Sequence, residues 1–585
     1  MDIQSLKFEG INSISNKTWH YRPLNKELIK KTKKQFDLDR LLLTILANRG
    51  IEATNLKKFL DHSLRNNIPD PKVINDMEKA IKRISKAVLN EEQIGIIGDY
   101  DVDGATSTAL ICNYLKSLVV PFEYYIPDRM KDGYGPNINA IRDLKSKNCE
   151  LIITVDCGTT ATEALKKATL EQILILVVDH HQPEENFPEP HYLINPNRCD
   201  DNSGLNNLAA VGVSFFLLIS TNRKLSEIDF FKHQKKPNLI DLLDLVALGT
   251  ICDVVTLDKF NRSLVKQGLK IINNSNNFGI RALIEISNID GPLNEEHIGY
   301  IIGPKINAGG RVGKSLKGVE LLLSENELHS RILAKELSDF NHKRQMIEKE
   351  VEKMAMNMID VNDQIICVNG KDWHEGVIGI VSAKITEKFS KPSIVISESE
   401  DLCKGSCRSV TGFDIGGLVK EAAKKNILEN GGGHQMAAGL TIKKKKIVNF
   451  KKFLNEYSIK KKFRNGINKT YDLKIFLSGI TEDFFNNIDR LAPFGPSNSK
   501  PKLFIENCFI KFPKLVGNNH ISFYISDIYG NSQKAIAFKA FGNQLGENLM
   551  NNDGMLMNVI GYLSKKKWNQ KKFLEINVID VVKKT

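Results

Sequence analysis

A chain of 585 residues exceeds what one hydrophobic core serves, so about three or four domains are expected. With 42% hydrophobic and 26% charged residues, no apolar run of transmembrane length and an opening Met1-Asp-Ile-Gln-Ser-Leu-Lys7 unlike a secretory signal, a membrane protein is disfavoured and the cytoplasm is the expected compartment. A formal net charge of +13 points towards a polyanionic partner, although the abundance of Lys, Asn and Ile accounts for part of the excess.

Residues 1–90 read as a mixed helical lead-in packed on the unit that follows, with Leu41-Leu-Leu-Thr-Ile-Leu-Ala47 a helix stopped at Arg49-Gly50. From 91 to about 255 strands alternate with helical stretches, the pattern of a parallel α/β sheet within a unit that extends to 324. Four apolar bursts in it each end in carboxylates. They are Ile94-Gly-Ile-Ile-Gly-Asp99-Tyr-Asp101-Val-Asp103-Gly104, Leu151-Ile-Ile-Thr-Val-Asp156-Cys-Gly158, Ile173-Leu-Ile-Leu-Val-Val-Asp179-His180-His181 and Leu245-Val-Ala-Leu-Gly-Thr-Ile-Cys-Asp253. Each burst predicts a strand buried on both faces, and ligands of parallel sheets collect at the carboxyl ends of such strands. Helices predicted after Gly104 and Gly158 bring loop, acid and helix N-terminus to one edge.

Over 325–360, Leu333, Leu337, Phe340, Ile347, Val351, Met354 and Met358 recur at helical spacing. They predict a connecting helix of roughly 50 Å whose apolar stripe serves packing. A second, smaller α/β unit follows at 361–455, built on Gln364-Ile-Ile-Cys-Val and Pro392-Ser-Ile-Val-Ile strands and dense in glycine. Lysine clusters at 443–446 and 460–462 flank a boundary, and residues 465–585 predict short strands, including a hairpin over 521–538, that suit a small β-barrel.

Asp101 and Asp103 alternate on what reads as an extended segment, so they point the same way and clasp a cation together. Such a pair is a weak signal alone; Asp156, the adjacent Asp179 and His180, and Asp253 strengthen it. Nine cysteines without a Cys-x-x-Cys pair argue against a zinc ribbon and a disulfide framework. Carboxylates with one or two imidazoles and no thiolate favour Mn²⁺ or Mg²⁺ over Zn²⁺. Two such ions about 4 Å apart, sharing a carboxylate, activate a water and clamp a phosphoryl group, so phosphoester hydrolysis is the expected reaction. In the second unit, Gly431-Gly-Gly-His434 and Gly405-Ser406-Cys-Arg408-Ser409 join flexible backbone to hydroxyl, imidazole and guanidinium donors, a set suited to phosphate. Arg408 and Arg311 are candidates for gripping a backbone or terminal phosphate, with Arg129 a third. His233 and His520 stand alone and receive no role.

Asp179-His180-His181 matches the signature of the DHH phosphoesterases. With it come Gly98-Asp-Tyr-Asp-Val-Asp-Gly104, Val155-Asp-Cys-Gly158, Gly249-Thr-Ile-Cys-Asp-Val-Val255 and Gly303-Pro-Lys-Ile-Asn-Ala-Gly-Gly-Arg311. Trp373-His-Glu-Gly-Val-Ile-Gly-Ile-Val381, Gly405-Ser-Cys-Arg-Ser409 and Gly432-Gly-His-Gln-Met-Ala-Ala-Gly439 complete an ordered set that resembles the RecJ-type single-strand-specific exonucleases over most of the chain. The resemblance implies a DHH catalytic domain at 91–324, the connecting helix at 325–360, a DHH-associated substrate-binding domain at 361–455 and an OB-type barrel at 465–585, introduced by Leu491-Ala-Pro-Phe-Gly-Pro-Ser-Asn498.

It further implies metal ligation by Asp101, Asp103, Asp156, His180 and Asp253, with Asp156 the bridge between two Mn²⁺ or Mg²⁺ ions. Asp99 stands where many relatives carry a metal-binding histidine, so it ligates or orients a water. His181 is similar to a residue that contacts the scissile phosphate, and Asp156 and Asp179 are counted with it as catalytic. Arg129, Arg311, His374, Ser406, Arg408, Ser409 and His434 are the implied substrate-binding residues. Lys305, Gly309 and Cys407 depart from the commonest pattern, and Lys305 keeps charge but loses bidentate geometry. On the barrel, Phe523, Tyr524 and Trp568, near Lys565, Lys566, Lys567, Lys571 and Lys572, are candidates for stacking and phosphate contact, although some of the aromatics must fill the barrel.

The implied activity is 5′→3′ degradation of single-stranded DNA to 5′-mononucleotides in recombination and repair, by a monomer supplied by a helicase and a single-strand-binding protein. Two other readings compete: a DHH enzyme for pyrophosphate, cyclic dinucleotides or very short oligonucleotides, and a scaffold that lost catalysis. A small substrate needs neither the barrel nor the long helix, and the intact acidic set argues against the scaffold.

Overall fold

Five parallel strands, Ile94–Gly98, Phe122–Tyr125, Leu151–Val155, Leu174–Val178 and Tyr192–Ile194, make the sheet of the first unit. This computed structural model describes residues 10–22, 26–35, 38–129, 131–183, 187–189, 191–289, 291–460, 468–568 and 571–584. Across the sheet the strands run second, first, third, fourth, fifth, so the winding reverses between Ile94–Gly98 and Leu151–Val155. A crevice opens at such a reversal, outside the carboxyl ends of the strands. Both faces are covered: Ile96, Ile153 and Val178 pack with the helices Met77–Leu89, Val102–Ser117 and Ala210–Glu227, while Ile97, Ile152 and Ile175 pack with Ile138–Ser146 and Thr162–Leu170.

Two sequence expectations change here. The fourth burst is a helix, Leu243–Cys252, buried from Leu243 to Thr250, with Asp253 at its C-terminus. A continuous apolar run of that length satisfies a helix enclosed on all sides as well as a strand, and periodicity does not separate them. Asp101 and Asp103 are not extended neighbours either: Asp101 is the N-cap of Val102–Ser117 and Asp103 lies in its first turn. The Asp101 carboxylate accepts from the amide of Gly104 at 3.0 Å, an alternative to the strand that short acidic side chains offer the backbone.

The connecting helix, Glu327–Asn357, has 31 residues and so runs about 46 Å. Leu333 and Leu337 belong to the first core, and Val351 and Ala355 to that of the second unit with Trp373. Met354 and Met358, expected in the stripe, are exposed. The second unit is a mixed sheet ordered Asn430–His434, Ala437–Lys443, Leu402–Arg408, Ser393–Glu398, Ile366–Lys371, with only the last pair parallel.

The C-terminal strands Leu473–Phe476, Leu503–Val516, His520–Ser526, Ser532–Ala537, Leu556–Trp568 and Lys571–Lys583 close on themselves, because Leu503–Val516 also pairs with Leu556–Trp568. Phe523 is 1% exposed and fills this barrel, whereas Tyr524 is 46% exposed on its surface. The side chains of Lys567, Trp568 and Lys571 lie outside the described residues.

The lead-in divides its packing between two units rather than resting on the catalytic domain alone. Strands Ile11–Asn12 and Thr18–Tyr21 join Asn468–Tyr471, and Leu42, Leu43, Ile45, Leu46 and Leu56 enter the barrel core. Buried Asp580 on the last strand accepts from Trp19 at 2.8 Å and Ser13 at 2.6 Å. The later part packs on the catalytic domain: Leu64, Ile68 and Ile74 join its core with the helix Met77–Leu89. An amphipathic helix reveals its buried face but not its partner.

Candidate active site

At the sheet reversal, the loops after Gly98, Val155 and Val178 meet the C-terminus of Leu243–Cys252. Gly104 is required by this convergence, since a Cβ there would lie 2.4 Å from the carbonyl oxygen of Asp99. Gly249 does the same for the helix carrying Asp253: a Cβ would come within 2.3 Å of the Thr106 hydroxyl and 3.0 Å of the Asp103 carboxylate. Asp156 adopts φ 59° and Val254 φ 60°, left-handed backbone that is sparsely populated for Asp and an outlier for a β-branched residue. Strain of this kind costs about 1–3 kcal/mol and persists where surrounding packing enforces it, commonly at functional sites.

His180 Nε2 lies 3.4 Å from Asp156 Oδ1, 3.6 Å from Asp253 Oδ2 and 3.9 Å from Asp103 Oδ2. Asp99, Asp101 and Asp156 bring a second set of carboxylate oxygens within 4.8 Å of one another. Asp103 is anchored by the N-terminus of Ala210–Glu227, accepting from the amides of Ala210 at 2.6 Å and Val211 at 2.9 Å. Four buried atoms, Asp99 Oδ1, Asp156 Oδ1, Asp253 Oδ2 and His180 Nε2, have no hydrogen-bond partner among the described residues. Burying such atoms unpaired is costly, and a hard divalent cation coordinated by carboxylate and imidazole satisfies them.

The electrostatics agree. Burial, together with Asp101, Asp103, Asp99 and Asp253, holds Asp156 well above the ordinary carboxylate range. Burial and carboxylate neighbours also raise Asp99 and push Asp103 up to about 7 and Asp253 up to about 9. Burial pulls His180 down to about 4, leaving the neutral imidazole that a metal requires. Cations among these groups reverse the carboxylate shifts by supplying the missing positive charge.

His181 stands beside this set. Its Nδ1 is 2.7 Å from Asp179 Oδ1, and Asp179 also accepts from the amides of Thr159, His180 and His181. Burial alone would lower His181, but the hydrogen bond and charge of Asp179 push it up to about 9. Burial would raise Asp179, yet the same partnership holds it below its usual range. Asp179 therefore orients His181 and turns away from the carboxylate cluster.

Sequence reasoning passed over three residues here. The Tyr134 hydroxyl donates to the Asp156 carbonyl at 2.9 Å and lies 3.1 Å from His181 Nδ1. Asn195 donates to the His181 carbonyl at 2.7 Å and Asn197 to that of His180 at 2.5 Å. Asn195 follows Tyr192–Ile194, a strand too short for a periodic signal, yet it repeats the pattern of a polar residue at a strand end.

Across the crevice a cavity of 530 Å³ is lined by Tyr100, Arg129, Tyr134, Arg311, Ser406 and Arg408, with the glycines of Asn430–His434 along one edge. Arg311 donates to the Gly376 carbonyl at 3.1 Å, linking the two domains, and Arg129 sits 5.3 Å from the centre of the Tyr100 ring. Arg408 donates to Ser406 Oγ at 3.2 Å. None of these guanidiniums pairs with a carboxylate among the described residues, which leaves them free for an anion.

Other expected substrate residues lie elsewhere. Ser409 is buried and donates to the Phe413 carbonyl at 2.7 Å. His374 caps the helix Glu375–Phe389, its Nδ1 accepting from the Gly376 amide at 3.0 Å. His434 is exposed at the end of its strand and accepts from the Met436 amide at 3.3 Å, outside the cavity lining. Polar side chains near turns satisfy local backbone as readily as ligands, and each of these three makes such a local bond. Lys305 is likewise turned inward, donating to the Ile301 carbonyl at 3.1 Å.

A parallel sheet whose strand ends gather carboxylates and imidazole opposite a guanidinium-lined cavity has the architecture of the DHH phosphoesterases, and the N-terminal domain model of that family matches residues 93–250. The DHHA1 domain matches 362–460 and the RecJ OB domain 471–580. The single-stranded-DNA-specific exonuclease RecJ of Bacillus subtilis is 31% identical over 577 residues, 97% of this chain and 71% of that protein. By that similarity the chain belongs to the RecJ family. RecJ of Thermus thermophilus, solved in complex with Mn²⁺, superposes with a TM-score of 0.80 at 24% identity, covering 96% of this chain and 78% of that one. A structure of exonuclease RecJ bound to manganese gives a TM-score of 0.57 at 29% identity over 67% of this chain and 96% of that one.

Proposed function

We propose that this chain is a metal-dependent exonuclease that degrades single-stranded DNA from the 5′ end and releases 5′-mononucleotides, in recombination and repair. The observation that carries the reading is the convergence of four partnerless buried atoms from Asp99, Asp156, Asp253 and His180 opposite the cavity that holds Arg129, Arg311 and Arg408. Asp99, Asp101 and Asp156 would hold one Mn²⁺ or Mg²⁺ ion and Asp103, His180 and Asp253 a second, with Asp156 between them. Bound there, the pair supplies Lewis acidity and an activated water for in-line phosphoryl displacement. His181, oriented by Asp179 and Tyr134, presents Nε2 to the scissile phosphate and stabilises the charge that develops on it. Arg311 and Arg408 take the terminal 5′-phosphate, which sets the cut one nucleotide in and fixes the direction of travel.

The barrel, with Tyr524 and the lysines at 565, 566 and 572, binds the rest of the strand by stacking and phosphate contact, independent of base sequence. No helix among the described residues is long and apolar enough to cross a membrane. The same reading has the chain act in the cytoplasm as a monomer, on strands delivered by a helicase and a single-strand-binding protein.

The test uses 5′- and 3′-labelled single- and double-stranded DNA with Mn²⁺, then EDTA. The expected result is release of the 5′ label as mononucleotide from single strands only, stopped by EDTA. Release from the 3′ end, or tight binding with no release, defeats the reading.

A further inference from the structure

The barrel is not loosely tethered to the catalytic domain. Residues 491–500, between the helix Glu482–Asp489 and the strand Leu503–Val516, form a strap that folds back on that domain. At its centre is Arg262, on the helix Lys259–Ile272, 2% exposed and paired with no carboxylate among the described residues. Its guanidinium donates to the carbonyls of Leu491 at 3.0 Å and of Pro493 and Phe59 at 3.4 Å, and lies 3.9 Å from the centre of the Phe59 ring. A buried cation without a counter-ion is expensive, so an apolar side chain would pack there at lower cost unless this geometry were needed.

Other contacts fasten the same strap. Glu295 accepts from the Phe494 amide at 2.8 Å, Pro496 accepts from the Leu257 amide at 3.0 Å, and Lys500 pairs with Glu296 at 2.8 Å. From the strap side, Asn498 donates to the carbonyls of Leu491 at 2.8 Å and Pro493 at 2.7 Å. It also accepts from Arg49 of the lead-in at 3.1 Å. Gly495 lies so close to the catalytic domain that a Cβ would meet Leu257 Cδ1 at 2.6 Å.

The strap also forms part of two adjoining clefts. One, of 370 Å³, is bounded by Thr250, Cys252 and Val254 beside Asp253; the other, of 780 Å³, by Lys266, Lys270, Lys565, Lys566 and Lys572. Phe494, Lys500 and Tyr562 belong to both.

We propose that Arg262 is a positioning residue for the nuclease: by gathering the carbonyls of the strap it holds the barrel at a fixed distance from the metal centre, so that a strand bound to the barrel delivers its end to the cluster. This rests on the nuclease reading above. Loosening the strap lowers the effective concentration of the strand end at the cluster without altering the chemistry there.

The experiment compares the full chain with Arg262→Met and Asn498→Ala, on a trinucleotide that reaches only the metal centre and on a long single strand. For both variants, KM on the long strand rises by about tenfold while kcat/KM on the trinucleotide stays within about twofold. Hydrogen exchange at 491–500 rises, and the sheet of the catalytic domain keeps its protection. Should Arg262→Met fail to fold, Gly495→Val displaces the strap against Leu257 by another route and gives the same split between substrates. Equal losses on both substrates overturn the proposal, as does a freed strap with no change in KM or unchanged exchange at 491–500. Failure of the unmodified chain to release any nucleotide defeats the nuclease reading and the role in delivery with it; the exchange comparison then still decides separately whether Arg262 holds the strap.

Discussion

Asp156 Oδ1 stands 3.4 Å from His180 Nε2, and neither buried atom has a hydrogen-bond partner among the described residues. The first follows Leu151–Val155, one of the two strands between which the winding of the sheet reverses, and the second follows Leu174–Val178, the strand on its other side.

Asp156→Asn is expected to lower kcat by about a thousandfold or more, because it removes the carboxylate proposed to be shared by the two cations. Binding of single strands, followed by fluorescence anisotropy in Ca²⁺, should stay near normal. A variant that retains a tenth of normal turnover would contradict the bridging role.

The same substitution should act in the opposite sense on stability. Without metal, Asp156 is crowded by other buried carboxylates, so Asn relieves repulsion and raises the thermal midpoint measured in EDTA. With Mn²⁺ the order reverses, since the unmodified chain gains binding energy that the variant lacks. Calorimetry in both buffers checks the crossing.

Asp179→Asn keeps an oxygen that can accept from His181 Nδ1 but removes the charge that strengthens the 2.7 Å contact and holds His181 protonated. Turnover should fall about a hundredfold with little change in KM, as expected when an orienting charge is lost and the bound state is not. A rise in KM with unchanged kcat would instead place Asp179 in substrate binding.

Tyr134→Phe deletes a hydroxyl that donates to the Asp156 carbonyl and borders His181. A fall in kcat of about tenfold is expected, corresponding to one hydrogen bond near the reacting phosphate. Single-turnover rates, which exclude product release, provide the measurement.

Arg408→Ala and Ser409→Ala, one position apart, should separate cleanly. Arg408 lines the cavity, so its loss raises KM for 5′-phosphorylated strands by about tenfold or more and weakens the salt dependence of binding. Ser409 donates to a buried carbonyl, so its loss costs about 1 kcal/mol of stability and leaves KM unchanged.

How far the chain could be read from its residues varies with the range of the interaction. Strands at 94–98, 151–155 and 174–178 were legible because β-branched runs ending in glycine or acid are local signals. The run at 245–252 was not, since a helix enclosed by protein shows no polar face. Arg311, Ser406 and Arg408 meet in one cavity, while Ser409 and the Nδ1 atoms of His374 and His434 bond to nearby backbone, a difference made by local turns rather than by residue type.

By itself the sequence determined the chemistry available here: hard carboxylate and imidazole donors at strand ends, guanidinium and glycine in a second domain, and a basic barrel. It did so because the strand pattern and the motifs are written in neighbouring residues. Tertiary structure alone decided that Asp253 arrives from a helix and that Asp179 faces His181 rather than the cluster. It also decided that Arg262 reaches a strap more than two hundred residues away. Those are distances between separate segments, set by how helices and sheet pack in three dimensions, and no local spacing carries them.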